Sequence, residues 1–342
     1  VKGTGEMELF RAARAPWWAY NNEIKYVVVE EGITKIASVA FLNTNMTKLT
    51  IPSTLVEIGA DALSMTDLEE IVVPENSKLS VLYVSSYFRN IPWYKKQPDG
   101  PVYLGKLLVD YKGTMPYNTT VTVKDGTYAI NECAFYNQSN LKDVIVPDSV
   151  ERIGYRAFYE TGWYNSKPDC ELIYIGKILY HYKTPWNFDA DIEDELVIPE
   201  GIVSISSEAF DGRCNFKTVV IPDSLEHIGV QAFYKCYDVE KIEISENSSL
   251  KTIDTLAFNG CKYLESIYLP EGLEVIGWSP FTGCSSLSEI RIPSTVKKMG
   301  LTVFDPSSLD LFEVDENNPY FCTDEDGVLY NKDKTTVIAS YQ

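Results

Sequence analysis

Five phenylalanines, Phe210, Phe233, Phe258, Phe281 and Phe304, follow one another at intervals of 23, 25, 23 and 23 residues. Each ends the same apolar pattern, as in FKTVVIPDSLEHIGVQAFYKC (216–236), VEKIEISENSSLKTIDTLAFNGC (239–261) and LESIYLPEGLEVIGWSPFTGC (264–284). A fixed period of this length predicts a solenoid, because one unit cannot bury its apolar face alone and a stack of units can. The register runs back through Phe41, Leu63, Phe88, Phe135 and Phe158, so about 10–11 units of 22–25 residues fit, the last beginning near Leu309. PENSKL (74–79) and SENSSL (245–250) each add two residues to the same turn, which accounts for the longer spacings.

Each unit predicts its own local structure. The segment before proline alternates, as in Val144-Ile145-Val146-Pro147, Val219-Val220-Ile221-Pro222 and Ile290-Arg291-Ile292-Pro293, and reads as a short strand. Proline cannot donate to a ladder and holds its predecessor extended, so it closes the strand at the same point in these coils. Stacked coils then give a parallel sheet. Ile-Gly follows (Ile58-Gly59, Ile153-Gly154, Ile228-Gly229, Ile276-Gly277), read as a second short strand or bend with the glycine freeing the backbone to turn. An Ala-Phe pair comes last and is expected to pack inward from a helical or 3₁₀ turn, stacking the rings of Phe41, Phe135, Phe158, Phe210, Phe233, Phe258, Phe281 and Phe304 along the axis.

Composition sets outer limits. A net charge of -19 and a pI near 4.6 leave nothing to neutralise a phosphate backbone, which argues against nucleic acid as a partner. No apolar run approaches the roughly 18 residues that span a bilayer. Val1 is neither an initiator methionine nor the head of a signal peptide, so an upstream segment is expected. Cys214, Cys236, Cys261 and Cys284 each fall three or four residues after a repeat phenylalanine. A ladder of single sulfurs along a line suits buried structural thiols better than a tetrahedral metal centre or a disulfide framework. Cys133, Cys170 and Cys322 lie off that ladder and support no pairing. No metal or cofactor is predicted.

Two interruptions copy each other. Trp93-Tyr94 through Pro98-Asp99 to YLGKLLVDYK (103–112) parallels Trp163-Tyr164 through Pro168-Asp169 to YIGKILYHYK (174–183). Both read as β-hairpins turning at Gly-Lys and protruding from the stack. Trp93, Tyr94, Tyr103, Tyr111, Trp163, Tyr164, Tyr174, Tyr180, Tyr182 and Trp186 gather on them, either as packing for a two-stranded ribbon or as a stacking surface for sugars or peptides. A further hairpin is expected at DGVLYNKDKTTVIASY (326–341), turning at 331–334, with the chain continuing beyond it.

Candidate binding residues follow from the strand pattern. The outward position runs Val28, Thr50, Val72, Thr122, Ile145, Val197, Val220, Glu243, Tyr268, Arg291, Glu313, and five of the first seven are apolar. Such a stripe is a recognition surface, a patch covered by the hairpins, or ordinary strand propensity. Catalytic constellations are nearly absent: His181 and His227 have no cysteine or serine at motif spacing and read as surface residues. Carboxylates are spread along the axis and nominate no glycosidase pair. Asp324-Glu325-Asp326-Gly327 and Asp315-Glu316-Asn317-Asn318 read as turns and lack a calcium-loop pattern.

The unit resembles the BspA-like class of bacterial leucine-rich repeat proteins, whose pattern is approximately LxxIxIPxxLxxIGxxAFxxCxx. The opening is similar to that family's flank, with Gly3-Thr4-Gly5-Glu6-Met7 and Ala15-Pro16-Trp17 before Val29-Glu30-Glu31-Gly32-Ile33. Leu63 in the phenylalanine slot departs from the pattern, as does Ser85-Ser86-Tyr87-Phe88, which lacks Ile-Gly and alanine. The resemblance implies a β-rich α/β leucine-rich repeat solenoid as a single domain. Its expected layout is a flank (1–23), repeats (24–90), a hairpin insertion (91–117), repeats (118–160), a second insertion (161–190), repeats (191–322) and a terminal hairpin (323–342). It also implies export to the medium or cell surface, no catalysis, and adhesion or binding to proteins or glycans of a host or neighbouring cell. The residues expected to carry binding are Val72, Ile145, Val197, Val220, Tyr268 and Arg291 on the strands, with Trp93 and Trp163 on the hairpins. A structural spacer and a carbohydrate-binding module are the alternative roles.

Overall fold

The computed structural model describes residues 1–8, 15–184, 191–210, 212–304, 309, 311–324 and 328–339. The described residues form parallel β-solenoid coils with very little helix. The chain divides into two compact units, Val1–Ser166 and Lys167–Gln342. Each unit repeats one coil of two short strands and a turn.

The first strand of each coil is the alternating segment that a proline closes in some coils, as at Pro52, Pro147 and Pro222, and that ends without one in others, as at Val28 and Glu243. In the first unit Tyr26–Val28, Lys48–Thr50 and Glu70–Val72 pair in parallel, as do Thr119–Thr122 and Leu141–Ile145. In the second unit Glu193–Val197, Phe216–Val220, Lys241–Glu243 and Ser266–Ile267 form one ladder and Glu289–Ile292 with Leu311–Val314 another. The two-residue alternation sends Leu49, Val219 and Ile290 into the core and leaves their neighbours outward. Loop contacts fix the register between coils. The Glu31 carboxylate accepts from the backbone N–H groups of Ser53 (2.8 Å) and Thr54 (3.2 Å), and Glu200 and Glu271 hold Asp223-Ser224 and Ser294 in the same way. The Ser53 N–H is the main cause that keeps the Glu31 carboxyl below its ordinary pKa.

The second strands, such as Glu57–Ile58, His227–Ile228, Thr252–Ile253 and Val275–Ile276, stack the Ile-Gly positions. The role of the glycine differs from expectation. Gly59, Gly154, Gly229 and Gly277 have no left-handed φ; instead a Cβ there would lie 2.6, 2.5, 2.8 and 2.3 Å from backbone atoms of the preceding coil. Close coil approach, not turning, excludes a side chain. Gly277→Ala is therefore expected to push its coil off Thr255 and cost about 1–3 kcal/mol by overpacking, read from a urea unfolding curve. His227 also departs from its surface reading, since it is buried in the second strand between Ser204 and Thr252.

The Ala-Phe segments form stacked turns instead of helix. Residues just before alanine, including Val39, Asp61, Cys133, Arg156, Gln231 and Leu256, adopt φ between +51° and +58°. That geometry aims the phenylalanine N–H at the next coil: Phe41 donates to the Ala62 carbonyl (3.0 Å), Phe135 to Ala157 (2.8 Å) and Phe233 to Ala257 (2.8 Å). The rings are buried and stacked, with centroids 5.1 Å apart for Phe135–Phe158, 4.7 Å for Phe210–Phe233, 5.2 Å for Phe233–Phe258 and 5.6 Å for Phe258–Phe281. Trp17 begins the ladder in the flank, stacking on Phe41 at 5.3 Å while its indole N–H donates to the Ala40 carbonyl (2.8 Å).

Both hairpins exist and turn at Gly105 and Gly176, whose φ of 59° and 56° suits glycine. They do not protrude. Leu107–Lys112 pairs in parallel with Ala129–Ile130, and Ile178–Lys183 with Ser204–Ile205, so each supplies the second strand of a coil. Tyr111 and Tyr182 stand in the phenylalanine slot, donating their N–H groups to the carbonyls of Ala134 (2.9 Å) and Ala209 (2.7 Å) and packing 6.0 Å from Phe135 and Phe210. One-turn helices, Pro92–Lys95 and Gly162–Asn165, precede the hairpins. At the far end Phe321–Thr323 adds a strand to the expected hairpin, giving a three-stranded antiparallel sheet with Leu329–Asn331 and Val337–Ala339. Asp326 and Gly327, at the start of that expected hairpin, lie outside the described residues, as does the calcium candidate at Glu325.

Candidate functional site: the outward strand face

Strand pairing brings the predicted outward residues into short rows, one on each of the two first-strand ladders of each unit. Val28, Thr50 and Val72 are directly paired, as are Thr122 with Ile145, Val197 with Val220 and Glu243, and Arg291 with Glu313. Ile145 is 54% exposed, Val197 57% and Tyr268 44%, while Val72 and Val220 are half-buried. The first unit's rows are apolar or hydroxylic throughout. In the second unit the outward residues change after Val220 to Glu243, Tyr268, Arg291 and Glu313.

Where the row changes, the second unit holds a cleft of about 750 Å³. Tyr268, Arg291, Glu289, Leu311, Glu313 and Asp315 are among its lining residues, over a floor that includes Ile242, Ile267 and Ile290. The hydrogen-bonded ladder also lapses here, between Ser266–Ile267 and Glu289–Ile292. Arg291 lies 2.9 Å from Glu313 and Lys241 2.7 Å from Glu243. The central outward position alone does not reveal Glu289 and Leu311, which occupy the neighbouring outward position two residues earlier, and Asp315, read from the sequence as part of a turn, joins them here.

The tryptophans are placed elsewhere. Trp93 and Trp163 sit in the one-turn helices, 7% and 6% exposed, with rings 5.9 Å from Phe88 and 5.5 Å from Phe158. They fill the core beside the phenylalanine ladder and present no free face for a ligand, so the packing explanation replaces the binding one. Tyr94, Tyr164, Tyr180 and Tyr182 are buried as well, and Trp186 lies outside the described residues. Asp110 accepts from the Tyr94 hydroxyl (2.6 Å) and from Arg89 (2.8 Å), which ties helix to hairpin.

The cysteine ladder is buried. Cys261 and Cys284 donate to the carbonyls of Phe233 (3.1 Å) and Phe258 (3.2 Å), and burial pushes the Cys236 and Cys261 thiols well up and that of Cys284 to about 12. In other coils the same slot holds Thr44, Thr66 and Thr161, whose hydroxyls donate to the carbonyls of Phe41, Leu63 and Phe158. The slot thus selects a small donor for a buried carbonyl, which is a structural task.

No helix among the described residues is long and apolar enough to cross a membrane. A family model described as BspA type leucine rich repeat region matches residues 18–91, 114–186 and 188–310 in six copies. No curated protein matches the chain. Among solved structures it is similar to a leucine rich cell surface protein from Faecalibacterium prausnitzii (22% identity, 86% of this chain and 88% of that one, TM-score 0.36). It is also similar to a leucine-rich repeat protein from Bacteroides ovatus (18% identity, 86% and 82%, TM-score 0.35) and to the pneumococcal vaccine antigen PcpA (17% identity, 95% and 84%, TM-score 0.39). The repeat match covers most of the chain and agrees with the coil geometry, and the chain belongs to the BspA-type leucine-rich repeat family.

Proposed function

We propose that this chain is a non-catalytic binding protein, secreted or displayed at the bacterial cell surface, that contacts a partner protein through its outward strand face. Family membership supports the surface role. The observation that carries the reading is the cleft on the second unit, where Tyr268 and Arg291 line a concavity on the strand face. A half-exposed tyrosine and an exposed arginine beside such a concavity are of the residue types that dominate protein interfaces. The buried hairpin tryptophans weigh against a glycan site at those positions.

The test is capture on arrays of extracellular proteins and of glycans, with Val197→Asp/Val220→Asp and Tyr268→Ala beside the unaltered chain. Protein capture is expected, lost in the substituted chains while far-ultraviolet circular dichroism shows each still folded. Tyr268→Ala, at an exposed position, should stay within about 0.5 kcal/mol of the parent, and the paired aspartates should cost about 1 kcal/mol more. Capture retained by both would remove the strand face as the site. Glycan capture without protein capture would favour the carbohydrate-binding module, and no capture at all the spacer.

A further inference from the structure

The cleft differs in charge from the rest of the strand face. Its lining holds five carboxylates (Glu243, Glu271, Glu289, Glu313, Asp315) and two cations (Lys241, Arg291). Both cations are already engaged, by Glu243 and Glu313, and Glu271 holds the Ser294 backbone and hydroxyl. Glu289 and Asp315 have no lysine or arginine partner among the described residues; one Asp315 oxygen accepts from the backbone N–H (2.9 Å) and side-chain amide (3.1 Å) of Asn317, which leaves its charge unneutralised. They stand with two exposed apolar side chains, Tyr268 and Leu311. No group of three or more metal-ligating side chains converges among the described residues, so the surplus charge is spread along the cleft.

We propose that the cleft takes an extended, cation-bearing polypeptide segment, with arginine preferred. This deepens the strand-face reading and rests on it. The lining runs across four first strands, from Lys241–Glu243 to Leu311–Val314. Three gaps of about 4.8 Å give about 14 Å, the length of about four extended residues. Arginine fits the lining better than lysine, because its planar guanidinium stacks on a tyrosine ring and meets a carboxylate through two parallel hydrogen bonds. An acidic segment is opposed by the local surplus and by the chain's net charge of -19, which also draws cationic partners in from a distance.

The test uses fluorescein-labelled, end-blocked hexapeptides in which threonine alternates with arginine, lysine or glutamate, measured by fluorescence anisotropy on the whole chain near physiological salt. The arginine peptide is expected to bind more tightly than the lysine peptide, and the glutamate peptide not at all. Glu289→Gln/Asp315→Asn should weaken the arginine peptide about tenfold and Tyr268→Ala should erase its advantage over lysine. The control Glu23→Gln/Glu75→Gln removes the same charge from exposed positions in the first unit and should change binding less than about twofold. Equal weakening in both pairs would assign binding to diffuse attraction and overturn the proposal, as would no weakening in either. If Val197→Asp/Val220→Asp abolishes protein capture while Glu289→Gln/Asp315→Asn leaves peptide binding unchanged, the strand-face reading stands and this inference alone falls.

Discussion

Replacing Phe233 with alanine is expected to destabilise the second unit by about 3–5 kcal/mol. Phe233 is fully buried and stacks on both sides, 4.7 Å from Phe210 and 5.2 Å from Phe258. Neither neighbour can close the gap, because each coil is held by inter-coil bonds such as Phe210 N–H to the Ala232 carbonyl and Phe233 N–H to Ala257. Phe233→Leu should cost far less, about 1 kcal/mol, since leucine fills the equivalent slot at Leu63 with 1% exposure. Urea unfolding followed by far-ultraviolet circular dichroism measures both. An alanine variant no less stable than one altered at exposed Val230 would mean that the ring stack does not hold the coils together. Solenoid stability is a sum over coils and their interfaces, so the loss should appear as an earlier local transition as well as a lower midpoint.

The ladder was legible because its information is local. Phenylalanine, the alanine four residues after the strand isoleucine, and a small donor three or four residues after the ring all lie within one repeat, and each has a single place to go. The strand faces were legible for the same reason, since a period of two fixes which side chains point outward once the proline marks the strand end. What the pattern hid lies between coils. Whether Gly59 or Gly277 turns the chain or merely makes room depends on the preceding coil's backbone, which no single repeat contains.

The hairpins show the same limit. Their aromatics suggested a protruding surface because neither copy has an Ala-Phe pair. Yet Tyr111 follows Phe88 by 23 residues and Tyr182 follows Phe158 by 24, so the period itself marked them as members of the ladder. Trp93 and Trp163 could not be placed from alternation, because they stand in one-turn helices where a strand's inside and outside do not apply. The acidic surplus of the cleft was hidden for another reason: it appears only when the outward residues of four coils and the lining residues Glu271 and Asp315 are counted together and the internal ion pairs are set aside.

Asn131→Ala is expected to cost the first unit about 3–5 kcal/mol although it removes no apolar contact of consequence. Asn131 occupies the slot that holds glycine in Ile58-Gly59 and Ile153-Gly154, and its side chain is fully buried. Its amide donates to the carbonyls of Leu82 (2.7 Å) and Val109 (3.2 Å), and its oxygen accepts from the Leu82 N–H (2.9 Å). Leu82 ends one four-stranded sheet and Val109 belongs to the next, so the amide bridges two ladders that share no strand pairing. Truncation leaves three buried backbone groups without this partner, at about 1–3 kcal/mol for each that water cannot reach. Asn131→Asp separates this account from a packing one. The carboxylate keeps the shape and still accepts from Leu82, but it turns an oxygen toward two carbonyls and loses both donors. It should therefore destabilise at least as much as alanine at neutral pH and recover partly in acid, where the protonated form regains one donor. An aspartate variant as stable as the parent at pH 7, measured by urea unfolding, would show that Asn131 fills space and does not bridge the sheets.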